Sequence, residues 1–206
     1  MVKLVNQTIF AAKIKDKKLP VFTAADIRAL FGLSGGAAVK LLHRYARRGF
    51  IVRIKRGLFA LSDAVPPELF VASKLYEPSY VSREFALSYH RIIPETVYEI
   101  TSVTPKATRR FEKLGKIYSY RKVKNSAFVG YGIEKQNGLS FRIADPEKAF
   151  VDANYFRLRD GLKPFSRYDK EKVNVTKALH YASLFGNQKF MSIIKTTLKL
   201  LQKMHC

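Results

Sequence analysis

The chain of 206 residues carries 38 Lys and Arg against 16 Asp and Glu, so its formal net charge is +22. Hydrophobic residues make up 47% of the chain and aromatic residues 13%, which excludes a disordered basic tail and is enough for a buried core. So high a positive charge predicts an anionic partner, namely DNA, RNA or a membrane surface.

The N-terminal third of the chain predicts three helices followed by a hairpin. The apolar pattern of residues 3–15 is typical of a short first helix. We expect Thr23 to cap a second helix and Ser34 to cap a third, which runs to about Arg48. Alternating side chains over 50–61 then predict a hairpin. This order of elements is that of a winged helix-turn-helix.

A linker with two prolines, residues 62–67, interrupts the pattern and predicts a domain boundary. We place a winged helix-turn-helix domain at 1–64 and an α+β domain with a helical C-terminus at 65–206. The elements expected in the second domain are a helix over 68–76, a short strand at Tyr80-Val81, a helix from Ser82 to about Tyr89, strands over 97–103, 116–123, 128–133 and 139–143, a helix from Asp145, and helix throughout the last 35 residues.

The positive charge is concentrated in the first domain. Residues 1–62 hold 13 bases and 2 acids, so their net charge of +11 is half of the total. On the predicted third helix, Lys40, Arg44 and Arg47 are spaced i, i+4 and i+7, which places them in one stripe. We expect Val39, Leu42 and Ala46 to face the core from the other side.

A helix with such a stripe suits the DNA major groove, where cations contact phosphates and guanine edges. Glycines at its start leave backbone amides open to a phosphate, and a basic hairpin beside it suits phosphate or the minor groove. His43, next to the stripe, is either a further contact or a half-exposed side chain. The predicted DNA-binding residues are Ser34, Gly35, Gly36, Lys40, Arg44, Arg47, Arg53, Lys55 and Arg56.

The second domain also carries a basic cluster and nets +11, from 25 bases and 14 acids over 63–206. Such a run is either a solvated face or a second contact for an anionic partner. The candidate residues for this second contact are Arg109, Arg110, Lys113, Arg121, Lys122 and Lys124.

One short segment is compatible with an enzyme. Asp145, Glu147 and Lys148 have the order of the acidic, acidic-x-Lys motif of metal-dependent nucleases, in which carboxylates hold a divalent ion. The same residues also suit the first turn of a helix, where Pro146 is favoured. Nucleotide-loop and hydrolase motifs are absent from the sequence. We therefore expect no enzyme activity and keep a nuclease as the alternative.

Cysteine use and hydropathy predict a cytoplasmic protein. The single cysteine, Cys206, is the last residue, so neither an internal disulfide nor a thiolate metal site is expected. The four histidines lack metal-ligand spacing. The first residues lack the apolar core of a signal peptide, and no window approaches the roughly 18 apolar residues of a membrane span. We expect no cofactor, no metal, no membrane contact and no small-molecule ligand.

Five segments between about residues 20 and 155 resemble the AbiEi-type antitoxins of type IV toxin–antitoxin systems. The resemblance implies an N-terminal domain that binds inverted repeats in its own promoter and represses a two-gene operon. It also implies a C-terminal domain that counters a nucleotidyltransferase toxin, often without a stable complex. The segments are FTAAD (22–26), LHRYARRGFIVRIKRGLFAL (42–61), PSYVSREFALSYHRIIPE (78–95), TSVTP (101–105) and ADPEKAFVD (144–152).

The leading hypothesis is thus a transcriptional autorepressor and antitoxin that binds double-stranded operator DNA. Besides a nuclease, two alternatives stay open: a winged-helix regulator without antitoxin activity, and a winged-helix scaffold for RNA or a protein partner.

Overall fold

The computed structural model describes residues 5–199, and these have an α+β fold with eight α-helices, one 3-10 turn and eight strands. The chain divides into two units, Met1–Pro67 and Glu68–Cys206, called here the N-terminal and C-terminal units. None of the helices within the described part is long and apolar enough to cross a membrane.

The N-terminal unit consists of three helices and a hairpin. Each helix begins at a capping side chain, because Asn6, Thr23 and Ser34 accept a hydrogen bond from the backbone amide three residues later. Gly32 ends the second helix in the left-handed conformation, with a φ of 63°. The elements are α1 (Gln7–Asp16), α2 (Ala24–Phe31), α3 (Gly35–Arg47), β1 (Ile51–Lys55) and β2 (Leu58–Leu61).

An aromatic core holds these elements together. Phe10 of α1 is fully buried, and its ring centroid lies 5.5 Å from that of Phe22 and 5.1 Å from that of Tyr45. Phe22, just before α2, exchanges two backbone hydrogen bonds with Phe59 of β2, at 2.9 and 3.0 Å. The hairpin is therefore attached to the segment that leads into α2 and α3. This arrangement is compatible with a winged helix-turn-helix.

One expected core position of α3 is wrong. Val39 is 45% exposed, whereas Ala38, Leu41 and Tyr45 are buried. Successive residues of a helix are turned by about 100°, so the face that buries Ala38 and Leu41 turns Val39 towards solvent. The first helix also begins at Gln7, with Asn6 as its cap, whereas its expected start at residue 3 lies outside the described residues.

The C-terminal unit is built on one six-stranded sheet with helices packed on it. The strand order is β5-β6-β4-β3-β8-β7, and the central strands β3 and β4 are antiparallel. On each side of this pair a parallel neighbour follows, and an antiparallel hairpin strand then closes the edge. Its elements are α4 (Glu68–Leu75), β3 (Tyr80–Val81), α5 (Arg83–Tyr89), β4 (Ile100–Thr104), β5 (Arg109–Lys113), β6 (Lys116–Lys122), β7 (Tyr131–Gln136), β8 (Leu139–Ala144), α6 (Pro146–Arg159), α7 (Val175–Ser183) and α8 (Gln188–Lys199).

A buried polar network joins α6 to the centre of this sheet. The side chains of Lys148 and Asp152 are fully buried and form an ion pair one turn apart on α6. Asp152 Oδ2 also accepts hydrogen bonds from the Tyr80 hydroxyl at 3.0 Å and the Ser82 hydroxyl at 2.8 Å. Burial, followed by the charge of Asp152, raises the pKa of Tyr80 well above its usual range.

The sequence prediction missed one strand of this unit and did not locate the break between its last two helices. β5 was not expected because all of its residues except Phe111 are exposed and charged, yet its backbone pairs with β6 along its length. The last 35 residues were expected to be helical, and within the described part they form two helices with a break between them. Gly186, with a φ of 58°, separates α7 from α8, and Asn187 accepts a hydrogen bond from the Phe190 amide at the start of α8. Residues 200–206 of that expected helix lie outside the described residues.

Candidate nucleic-acid interface

The predicted basic stripe lies on the exposed face of α3. Lys40, Arg44 and Arg47 are all exposed, opposite the buried Leu42 and Tyr45. The guanidinium of Arg44 lies 5.7 Å from the centroid of the Tyr45 ring, so a buried ring partly orients it. The face surrounds an open surface hollow, which is lined by Val39, Lys40, His43, Arg44, Arg47 and Arg48.

The start of α3 is open to an approaching ligand. Gly35 and Gly36 are exposed, and a Cβ added to either would meet no atom within 4 Å. The first amides of a helix lack intrahelical acceptors and carry the positive end of its dipole. The Ser34 hydroxyl accepts a hydrogen bond from the Ala37 amide at 3.3 Å. Ser34 thus caps α3, while its hydroxyl proton stays available to an acceptor.

The β1–β2 hairpin carries the other predicted bases, at a bulge and a tight turn. The pairing register shifts between Arg53 and Lys55, so Ile54 has no partner of its own. Arg53 and Arg56 are exposed and Lys55 is half-buried. Of the apolar side chains that alternate with Arg53 and Lys55, Ile54 is buried and Val52 is half-buried.

No carboxylate within residues 5–199 neutralises the bases of α3. Lys40, Arg44 and Arg47 form no ion pair there, and neither do Arg53 and Arg56 of the hairpin. The acids of the N-terminal unit are engaged elsewhere: Asp26 in the capping box of α2, Asp16 at 3.9 Å from Lys17, and Asp63 at 2.8 Å from Lys15. The hydrogen bond from Lys15 holds the pKa of Asp63 below its usual value. The positive potential of this face is thus uncompensated.

The second basic cluster does not form one stripe. Arg109, Arg110 and Lys113 follow the edge strand β5, and the register of Arg109 against Tyr120 places it beside the end of β6. Four residues along a strand span about 13 Å, so Lys113 lies far from that end. Lys122 closes β6 and Lys124 follows it.

Part of this cluster is already neutralised by neighbouring acids. The guanidinium of Arg121 binds both carboxylate oxygens of Asp160, at 2.7 and 3.0 Å. Arg110 lies 3.9 Å from Glu99. The candidates without an ion pair among the described residues are Arg109, Lys113, Lys122 and Lys124.

The nuclease-like residues are engaged in holding helices together. The Lys148 ammonium is buried and pairs with Asp152, which also binds Tyr80 of the central strand β3. Asp145 caps α6 through its Oδ1, which accepts the Lys148 amide at 2.8 Å. Lys177 of α7 lies 3.1 Å from Asp145 Oδ2 and 2.9 Å from Glu147 Oε2. Lys148, the lysine of the nuclease-like order, is therefore paired with Asp152, and Lys177 contacts the two carboxylates instead.

The contacts between α6 and α7 shift the pKa values of Glu147 and Lys177. Burial opposes the charge of Glu147, but hydrogen bonds from the Asn174 amide and Lys177 prevail and lower its pKa. The two carboxylates raise the pKa of Lys177 against its partial burial. Within residues 5–199, no group of three or more His, Cys, Asp or Glu side chains could hold a metal ion. The segment therefore connects α6 and α7.

A comparison with known protein families finds a match in the N-terminal unit. Residues 12–62 match the family of transcriptional regulators described as AbiEi antitoxins. The match extends from within α1 to the end of the hairpin, and it confirms the resemblance seen in the first two sequence segments, 22–26 and 42–61. The other three segments lie outside the matched residues. The likeness is therefore to transcriptional regulators, and it covers residues 12–62. No curated protein matches the chain.

Proposed function

From the AbiEi antitoxin match of residues 12–62 we propose that the N-terminal unit is a winged helix-turn-helix that binds duplex operator DNA. The observation that carries this proposal is the exposed face of α3, on which Lys40, Arg44 and Arg47 have no carboxylate partner among the described residues. Three bases without a carboxylate partner on one helix do not stabilise the fold, and their combined positive potential favours binding of an external anion.

In this proposal α3 lies in the major groove. A helix of 13 residues is about 20 Å long, and with side chains its diameter of about 10–12 Å matches the width of that groove. Arg44 and Arg47 are long enough to contact phosphates or to bind guanine O6 and N7. The open amides of Gly35 and Gly36 bind a phosphate at the start of the helix.

The hairpin acts as the wing. Arg53, Lys55 and Arg56 contact phosphates or enter the minor groove next to the α3 site. Phe22 and Phe59 support this role, because their paired backbones attach the hairpin to the lead into α2. Contacts from α3 and the wing together set the register of the protein on the duplex.

The regulatory role follows from the family. We propose that the chain binds inverted repeats in its own promoter and represses an operon that also encodes a nucleotidyltransferase toxin. Inverted repeats place two copies of the chain on one operator, as in other helix-turn-helix regulators. The C-terminal unit counters the toxin in this proposal, and this part rests on the family resemblance alone.

The DNA proposal is tested with a labelled duplex that spans the chain's own promoter. In mobility-shift titrations, Arg44→Gln with Arg47→Gln is expected to weaken binding by roughly 100-fold and to lower the salt slope by about two. The matched control is Lys15→Gln with Lys17→Gln, which removes the same charge from the last turn of α1 and from its C-cap. It is expected to change the affinity less than about threefold, on the order of a surface effect. Equal losses in both double variants would show that only net charge matters and would refute the assignment of α3.

The antitoxin proposal needs a separate readout. The full chain is co-expressed with the nucleotidyltransferase encoded beside it, and growth is expected to be restored. Arg44→Gln with Arg47→Gln is expected to restore growth equally well, because the proposed toxin-countering unit is unchanged. Failure of the wild-type chain to restore growth leaves a regulator without antitoxin activity as the correct alternative.

A further inference from the structure

Val39 is an apolar side chain in the centre of a basic surface. It is 45% exposed, although its neighbours around the same hollow are Lys40, His43 and Arg44. A β-branched residue on the solvent side of a helix costs roughly 0.5 kcal/mol relative to alanine and gains nothing from burial. The core of the unit therefore does not explain valine at this position.

We propose that Val39 reads the C5-methyl group of a thymine in the major groove. The inference rests on the proposed binding of α3 to DNA and adds a base preference to it. Thymine is the only base that presents a methyl group in this groove, and apolar side chains contact it. An apolar group among cations also distinguishes a site that reads a sequence from one that only neutralises phosphates.

The position of Val39 along α3 suits this role. It lies just over one turn from the start of the helix, and recognition helices contact base edges with their N-terminal residues. Gly36, one turn earlier, has no side chain, and nothing lies within 4 Å of where its Cβ would be. Gly36 therefore contributes no side chain that would keep a base edge away from the isopropyl group of Val39.

The side chain is also rigid enough to specify one base. In a helix a valine has one strongly preferred rotamer, so both methyl groups have a defined position. Lys40 and Arg47, by contrast, are long and adaptable and suit phosphates over a range of geometries. The cations thus contact phosphates or guanine edges and supply affinity, whereas Val39 supplies a choice between thymine and cytosine.

The test combines a methyl deletion in the DNA with a methyl deletion in the protein. Duplexes are first enriched by the full wild-type chain from a random-sequence library. Each thymine of the enriched duplex is then replaced singly by deoxyuridine, which removes only the C5-methyl. For wild type we expect one thymine in each half-site at which this replacement weakens binding by roughly fourfold, the value of one buried methyl group.

For Val39→Ser, which has no methyl group and a helix propensity close to that of valine, the same replacement is expected to have no effect. Binding of this variant to the thymine duplex is expected to equal that of wild type to the deoxyuridine duplex. Val39→Ala, which keeps only the β carbon, serves as a second variant, and the replacement is expected to weaken its binding less than that of wild type. Ile9→Ala removes another exposed apolar side chain of the unit, 54% exposed on α1, and is expected to keep the wild-type ratio.

The outcomes separate this inference from the proposed function. If wild type enriches a specific duplex and no deoxyuridine replacement weakens it, the thymine contact is refuted and DNA binding stands. If Val39→Ser and Val39→Ala respond to the replacement as wild type does, another residue reads the methyl and the inference is also refuted. If wild type binds the enriched pool no better than random DNA, operator binding itself fails, and the inference fails with it.

Discussion

The two units carry similar positive charge but distribute their acids differently. Residues 1–62 and residues 63–206 each net +11. In the N-terminal unit the acids lie away from α3, whereas in the C-terminal unit they pair with bases such as Lys116, Arg121 and Lys177. Net charge therefore does not locate a nucleic-acid site. The location follows from where bases are grouped without a neutralising carboxylate.

The cores of the two units also differ in the charge that they enclose. The N-terminal core is aromatic and aliphatic, centred on Phe10, Leu42 and Tyr45. The C-terminal core encloses the charged pair of Lys148 and Asp152. A buried ion pair costs much desolvation, and removal of one partner leaves an uncompensated charge. The stability of the C-terminal unit should therefore depend on electrostatics and that of the N-terminal unit on packing.

The largest expected effect is that of breaking the buried pair. Lys148→Ala is expected to lower the free energy of unfolding of the C-terminal unit by about 3–5 kcal/mol, because Asp152 stays buried without its cation. Urea denaturation measures this change. Lys172→Ala, which removes an exposed partner of Asp169, is the control, with an expected loss under about 1 kcal/mol. Similar losses in the two variants would contradict the comparison.

The basic hairpins of the two units offer the next test. Arg53→Ala with Arg56→Ala is expected to weaken promoter binding by roughly tenfold and to lower the salt slope by about two, since each lost phosphate contact contributes about 0.9. Arg109→Ala with Lys113→Ala removes equal charge from β5. Mobility-shift titrations at several salt concentrations compare the two. An equal effect of the β5 variant would establish the second cluster as a further DNA contact.

A smaller and pH-dependent effect is expected at Glu147, whose side chain is 9% exposed. Its folded pKa is lowered, so its contribution to stability is present above the unfolded pKa and is lost as the pH falls. Glu147→Gln is expected to destabilise the C-terminal unit by about 1–2 kcal/mol at neutral pH. The difference from wild type should shrink below about pH 4. Denaturation curves across this range measure it, and a difference that does not depend on pH would contradict the assigned cause.

The smallest expected effect concerns the cap of α3. Ser34→Ala removes the acceptor of the Ala37 amide and is expected to destabilise the N-terminal unit by about 1 kcal/mol. Ser34→Gly is expected to cost only a few tenths of a kcal/mol, because glycine is itself tolerated as a cap. Thermal unfolding measures both. A larger loss for glycine than for alanine would show that the hydroxyl does not act as a cap.

Much of the N-terminal unit could be predicted because its signals are local. Thr23 and Ser34 are caps three residues before the amides they bind, and Gly32 ends a helix by its own backbone preference. Val39 was misplaced because a valine reads as a core residue. The signal that would have corrected it is the set Ala38, Leu41, Leu42 and Tyr45, whose spacing defines a complete buried face without it.

The C-terminal unit was predicted less well because its decisive contacts are distant in sequence. β5 has no apolar alternation and becomes a strand by pairing with β6. In the sequence, Arg121 is indistinguishable from the other bases of the cluster. Its ion pair with Asp160, 39 residues later, forms only in the folded chain. Asp145, Glu147 and Lys148 have a nuclease-like order, but Lys177, about 30 residues away, occupies the space between the two carboxylates.

The sequence by itself determined the local elements, the placement of Lys40, Arg44 and Arg47 on one helical stripe, and the resemblance to AbiEi antitoxins. These follow from helical periodicity and from side chains that act on their own neighbourhood. Only the tertiary structure decided which bases keep an uncompensated charge and which apolar side chain stays exposed among them. Both depend on partners brought together by folding, since an ion pair or a buried face exists only when distant segments meet.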